Sequence, residues 1–345
     1  MGVPRPDQFS GCLIGQCLGD ALGFGVEGCE PAVCQEYVSD ILRTGRAAEQ
    51  GNGWAYVSQY TDDSQLAREL LQSFAACTRF DPQDYAGRIA AIFTEGRIVG
   101  RGTATTRAAL RLAQGVPWQV AGTPPPVAGN GSAMRAAPIG LLFFDHPPRM
   151  IQAGHDQGRI THQDPCCSAG AVAIAGAVAL VLRGEPIQRD AFLSQLSEWS
   201  GALDASVAAG LRHLAEWSAW PPDQAAKEIS TFGRDQALAD GWEGISPFVT
   251  GSVLWSLYSF LRTPEDYWET VCTAIAVGGD VDTTAAMAGA ISGAYLGLHA
   301  IPKELALRLT DRHTWGFAEL VALAEQCYAC KMQQIRSGTA IASEP

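Results

Sequence analysis

The chain has 345 residues, 47% of them hydrophobic, so it can bury a large core and global disorder is excluded. Lys and Arg number 24 against 36 Asp and Glu, a net charge of −12, and no basic run stands out. That balance excludes a protein that grips the nucleic-acid backbone, but not a phosphate-bearing ligand, which amides or a metal can hold locally. The N-terminal Met1-Gly2-Val3-Pro4-Arg5-Pro6-Asp7 has no apolar signal core. The 10 cysteines are scattered through apolar patterns, which reads as reduced thiols and a cytoplasmic location. The lone Cys327-Tyr328-Ala329-Cys330 and the vicinal Cys166-Cys167 lack a second ligand pair and read as packing.

Almost every periodic segment reads as helix, and strand-like alternation is scarce. The first helix, residues 9–22, sets Gly11, Gly15, Gly19 and Gly23 at every fourth position, a face that another backbone can approach closely. It leaves through a run of glycines whose tip carries Glu27, read either as a solvated loop acid or as a mobile catalytic or gating carboxylate. After a loop rich in Gly and polar residues, 44–60, Thr61-Asp62-Asp63-Ser64 precedes a helix with Leu66, Leu70 and Phe74 on one face. Helices follow at 82–94 and 103–114, the second opened by Gly100-Arg101-Gly102, a weak candidate for an anion-binding turn.

The proline-rich loop 121–131 runs into Gly129-Asn130-Gly131-Ser132-Ala133-Met134-Arg135 and a helix over 136–144. Small residues opening onto a helix N-terminus can hold an anion, with amides and Ser132 facing a phosphate; a purely structural turn is the equal alternative. The Gly-Lys-Ser/Thr ending of a Walker A loop is missing. His162, in Thr161-His162-Gln163-Asp164, is either a ligand contact or a structural residue. Helices are further predicted over 168–182, 187–199, 202–217, 221–231, 247–261, 264–277, 283–301 and 310–331. The small-residue helices at 9–22, 168–182 and 283–301 have no exposed face and belong in the centre of a bundle. Gly289, Gly293 and Gly297 share the spacing of a membrane helix pair, but abundant Ala and Gly with Ser292 and His299 weigh against a membrane span. No linker, composition shift or repeat divides the chain. One domain over 1–336 with a disordered tail, 337–345, is expected.

The most informative stretch is Gly278-Gly279-Asp280-Val281-Asp282-Thr283-Thr284. Carboxylates two residues apart diverge on a helix and converge only where the backbone is still turning, which Gly-Gly permits. A helix starting just after puts Asp282 or Thr283 in a capping position. A cap needs one acid; two acids with hydroxyls suit a hard cation. Thr61-Asp62-Asp63-Ser64 is a second oxygen-only cluster of the same type. If the two meet, four carboxylates share one site and need divalent cations between them, Mg²⁺ or Mn²⁺ rather than zinc.

Five stretches in order, GDALGFGVEG, YTDDSQLA, GNGSAMRAAPIGLLF, THQDPCCSAGAVA and GGDVDTTAAMAGAISGAYLG, give the chain its resemblance to the ADP-ribosylglycohydrolase family. These are the ADP-ribosylhydrolases that include the dinitrogenase-reductase-activating glycohydrolases. The resemblance covers nearly the whole chain. It implies a compact all-α orthogonal helical bundle with a binuclear Mg²⁺ or Mn²⁺ site at the base of a cleft. The implied activity removes ADP-ribose from an ADP-ribosylated acceptor, such as a protein side chain, by cleaving the bond at C1 of the terminal ribose. Metal ligation maps onto Thr61, Asp62, Asp63, Asp280, Asp282 and Thr283, and the general base onto Glu27, Asp62 or Asp63. Substrate contacts map onto Gly100, Gly129, Asn130, Gly131, Ser132, Met134 and His162. One departure is Ile98-Val99-Gly100, where bacterial members acting on ADP-ribosyl-arginine tend to carry an Asp before the Gly; this puts arginine-directed chemistry in question. The alternatives are a catalytically silent ADP-ribose-binding or structural member of the same fold, and a magnesium-dependent phosphohydrolase. All five mapped acids are present, which favours the enzyme.

Overall fold

In the computed structural model, which describes residues 2–48, 58–234 and 241–338, proline and aspartate write most helix starts. Pro6, Pro31, Pro82, Pro147, Pro165 and Pro222 each open a helix, where the missing N–H would have had no partner. Asp81, Asp164, Asp204 and Asp266 cap helices by accepting amide hydrogens from the first turn. The order is α1 (Pro6–Phe24), α2 (Pro31–Tyr37, continued by a π-helical turn, Val38–Leu42), α3 (Asp62–Cys77), α4 (Pro82–Thr94), α5 (Thr103–Ala113) and α6 (Trp118–Ala121). Then come α7 (Ala137–Phe143), α8 (Pro147–Arg159), α9 (Pro165–Val181), α10 (Arg189–Gly201), α11 (Ala205–Trp217) and α12 (Pro222–Thr231). The last five are α13 (Val249–Arg262), α14 (Tyr267–Ile275), α15 (Val281–Leu296), α16 (Lys303–Ala306) and α17 (Phe317–Ser337). The fold is all-α, and outside the helices the described residues form only isolated β-bridges.

The centre is the antiparallel pair α1 and α15, joined by glycine. A Cβ on Gly11, Gly15 or Gly19 would fall 2.4, 2.4 and 2.2 Å from the carbonyl oxygens of Gly293, Gly289 and Ala285. No side chain fits, so the two backbones touch. At the end of this seam Gly23 meets the Asp282 backbone, its Cβ position 2.5 Å from Asp282 Cα. The exit of α1, which carries Glu27, is thereby pressed against the start of α15, which carries the late acids. Helices α9, α13 and α14 enclose α15 from the other sides. Among the described residues, no helix is long and apolar enough to cross a membrane.

Several predicted boundaries shift. Helix α15 ends at Leu296 because Gly297, at φ +94°, breaks it. Helix α17 starts at Phe317, not at 310, since Arg312, His313 and Trp315 adopt positive φ in a turn closed by Asp311 and Thr314. Its last turn reaches Ser337, so that residue is helical; 339–345 lie outside the described residues, as do 49–57 of the predicted 44–60 loop. Helices α2, α6, α8 and α16 were not predicted.

Candidate active site

Both acidic motifs sit at helix starts, and the α1–α15 seam brings them together. Thr61 is the N-cap of α3, with Asp62 and Asp63 in its first turn. Asp280 is the N-cap of α15, with Asp282 in its first turn, two residues before the first position expected to cap from the sequence, Asp282. Asp280 does not cap with its side chain, which accepts a short hydrogen bond from Asn130 Nδ2. The preceding turn requires its glycines. Gly278 and Gly279 lie at φ +76° and +88°, and a Cβ on Gly279 would fall 2.1 Å from Ile245 O. That turn is pinned by Gly28 N donating to Gly279 O (2.8 Å), Gly279 N to Cys29 O (3.0 Å) and Asp280 N to Ile245 O (2.7 Å).

Glu27, Asp62, Asp63, Asp280 and Asp282 line one cavity of about 430 Å³, a size suited to a small organic ligand. Carboxylate oxygens of Glu27, Asp280 and Asp282 lie within 4.8 Å of one another, close enough to share a cation. Glu27, on the turn that follows α1, thus joins the acid cluster. Burial pushes the whole set up: Asp62 to about 7, with Asp20, Glu27 and Asp280 adding repulsion, and Glu27 to about 7, with Asp280 adding to it. Asp63 and Asp282 are raised well above the usual range by burial and neighbouring charges, and Asp280 is raised by burial. Thr61 Oγ1 donates to Asp63 Oδ2 (3.2 Å), while Asp63 Oδ1 is buried with no hydrogen-bond partner. Converging carboxylates, two hydroxyls and an orphaned buried oxygen form a donor set that fits hard divalent cations.

Behind this face stands Asp20, a fully buried acid that the sequence reading passed over. Its carboxylate accepts from Thr61 N (2.9 and 3.0 Å) and Ser64 N (3.1 Å), taking up orphan amides at the start of α3. Gln16, one turn earlier on α1, donates to Asp63 O (3.0 Å) and Met134 O (2.9 Å). The signal for both was a pair of polar residues inside an otherwise apolar glycine helix.

The rest of the lining carries no acid. It is built from Gly100, Arg101 and Gly102, the first turn of α5 (Thr103, Ala104, Thr105), Asn130, Gly131, Met134 and His162. First-turn amides of a helix have no intrahelical partner and favour an anion, and Arg101 adds a cation. The weaker candidate turn of the sequence reading therefore also lines the cavity. Gly100 also lies against Asp62, where a Cβ would fall 2.5 Å from Oδ1. Gly129 lines the same cavity, with Asn130 N donating to Pro247 O (2.9 Å) to hold that loop.

Ser132 is not brought to the cavity. It is fully buried, and its hydroxyl donates to Cys167 O (2.9 Å). Helix α7 begins only at Ala137, with Ala133, Arg135 and Ala136 buried before it, so Ser132 does not directly precede its first turn. Val127, Trp242 and Pro247 line the cavity and were not foreseen. Trp242 comes from a loop far from any motif, and nothing in its neighbourhood marked it.

Comparison with known proteins shows the family. The family model described as ADP-ribosylglycohydrolase matches residues 2–335. An ADP-ribosylhydrolase ARH3 from Gallus gallus is 30% identical, covering 96% of this chain and 95% of the relative. The Rhodospirillum rubrum ADP-ribosyl-[dinitrogen reductase] glycohydrolase is 25% identical, covering 86% and 88%. A solved structure titled ADP-ribosylglycohydrolase-related protein complex superposes with a TM-score of 0.68 at 29% identity, over 95% of this chain and 99% of that one.

Proposed function

The chain belongs to the ADP-ribosylglycohydrolase family, and on that premise we propose that it hydrolyses the bond between an acceptor and C1 of the terminal ribose of ADP-ribose. The observation that carries this reading is the polarity of the cavity. Five carboxylates line it together with the first turn of α5, Arg101 and His162. ADP-ribose has matching parts: neutral ribose hydroxyls at its reactive end and a diphosphate next to it.

Asp62, Asp63, Asp280 and Asp282, with Thr61, Thr283 and the oxygens of Glu27, would hold two divalent cations, Mg²⁺ or Mn²⁺. Bound there, the cations would supply polarisation of ribose hydroxyls and acidification of a water. Glu27, raised to about 7, is matched to take a proton from the attacking water near neutral pH. The first turn of α5 orients the diphosphate, and that remote binding holds C1 against the acids. Asn130 keeps Asp280 turned into the cavity. Val99 stands before Gly100 where an acid would assist a guanidinium-linked acceptor, and Arg101 lines the cavity, which supports an acceptor other than arginine.

The test is a panel of defined ADP-ribosylated acceptors, linked through arginine, serine, a carboxylate or a terminal phosphate, incubated with Mg²⁺ or Mn²⁺ and scored for free ADP-ribose. Release from at least one non-arginine conjugate, lost with EDTA, is expected. No release from any conjugate would leave a silent binding protein, and phosphate release without ADP-ribose would mark a phosphohydrolase.

A further inference from the structure

His162 meets the cavity with the edge of its ring. A Cβ on Gly131 would fall 2.7 Å from its Cε1 and 3.3 Å from its Nε2, and one on Gly129 would fall 3.5 Å from Nε2. His162 and both glycines line the cavity, and Nε2 is the ring nitrogen on the glycine side. The other ring nitrogen faces inward, where Nδ1 lies 2.9 Å from Thr161 Oγ1. That hydroxyl has a second neighbour, Arg135 Nη2, at 2.8 Å.

Arg135 is fully buried and fixed from several sides. Its Nε donates to Gln157 Oε1 (3.0 Å) and its Nη2 also donates to Gln157 O (2.9 Å), with the guanidinium 5.6 Å over the Tyr85 ring. Gln157 is held in turn by donating from Nε2 to Ser132 O (2.8 Å). A guanidinium can only donate, so Thr161 Oγ1 accepts from it and has its own proton left for His162 Nδ1. The alternative tautomer would aim two donors at Thr161 Oγ1 and leave its O–H unpaired in a residue with no exposure. One unpaired buried donor disfavours that state by about five- to a hundredfold.

We propose that Arg135 and Thr161 are positioning residues that lock His162 as a neutral Nε2–H donor facing the cavity, so that the ligand atom opposite it must be a hydrogen-bond acceptor. Burial and the neighbouring Arg135 charge, which lower the imidazole pKa to about 3, keep the ring from ionising. Resting on the function proposed above, that acceptor is an oxygen of ADP-ribose. A fixed N–H selects an oxygen without placing a second full charge beside the substrate, and it needs no reorientation on binding.

The full-length protein labelled with ¹⁵N-histidine tests this first without any substitution, the His162→Gln spectrum identifying the resonance. Two-bond ¹⁵N–¹H correlations should show His162 protonated at Nε2 and bare at Nδ1. Thr161→Val, which removes the donor to Nδ1, should mix or reverse the tautomer and weaken ADP-ribose about fivefold, the scale of one hydrogen bond; Thr161→Ser should restore both. Protonation at Nδ1 in the unaltered protein, or a Thr161→Val tautomer and affinity equal to those of the parent, would overturn the proposal. Failure of the parent protein to bind ADP-ribose at all would instead overturn the assigned substrate, and the spectrum separates the two results.

Discussion

Asp20 is not among the residues lining the acid cavity, yet both of its oxygens hold the start of α3, and through it Asp62 and Asp63. Asp20→Ala leaves the amides of Thr61 and Ser64 buried without acceptors, each costing about 1–3 kcal/mol. The expected outcome is a melting temperature lowered by several degrees, together with weaker divalent-metal binding. A variant with the parent's metal affinity would show that the acids of α3 stay in place without it. Glu27 carries a different expectation. Its place within 4.8 Å of Asp280 and Asp282 suits the cation contact proposed for it, and burial with the Asp280 charge raises it to about 7. Glu27→Gln should therefore weaken metal binding measurably and lower turnover further than the metal deficit explains. Asp282→Asn should lower turnover only as far as it lowers metal occupancy. Calorimetric metal titrations beside single-turnover rates at saturating metal distinguish the two, and full recovery of Glu27→Gln at saturating metal would remove it as the base.

At the scale of elements, the α1–α15 seam is the part most exposed to small changes. Replacing a helical glycine by alanine ordinarily gains about 1 kcal/mol from propensity. In Gly15→Ala the new Cβ would sit 2.4 Å from Gly289 O, a backbone atom that cannot swing aside. Overpacking of that kind costs about 1–3 kcal/mol, so the clash wins and thermal melts should show destabilisation. Gly87, on the exposed face of α4 with nothing within 4 Å of its Cβ position, is the control, and Gly87→Ala should stabilise. Equal effects at both positions would mean the seam is looser than described. The four-residue glycine spacing made this interface legible as a close-approach face, although not which helix would meet it. The acid clusters were legible because each packs its donors into four or five consecutive residues. Asp20 was not, since one acid inside an apolar helix reads as an oddity until Thr61 and Ser64 arrive from another element. Helix α8 was missed because its segment opens with two prolines and contains two glycines, weakening the helical pattern. The direction of the Ser132 hydroxyl was set by Cys167 O, 35 residues away, which no local pattern encodes.

The whole molecule carries a net charge of −12 and concentrates part of its acid in one buried cluster, so its stability should depend on pH in an unusual direction. Paired surface carboxylates usually have lowered pKa values and stabilise a fold as pH rises. Here Asp20, Glu27 and Asp62 are raised to about 7, and Asp63, Asp280 and Asp282 are raised as well. Between their ordinary values near 4 and the raised ones, the folded chain holds protons that the unfolded chain has lost. Stability without metal is therefore greatest at the acidic end of that window and falls as pH rises through about 7. A divalent cation reverses the trend, because it binds the ionised acids and competes with protons for them. EDTA-treated protein should accordingly melt several degrees lower at about pH 8 than at about pH 5.5, and Mg²⁺ or Mn²⁺ should raise the melting temperature far more at the higher pH. A melting temperature that climbs with pH in EDTA, or a metal shift larger at the acidic end, would mean that the five cavity acids are neither mutually repelling nor the place where the cation binds.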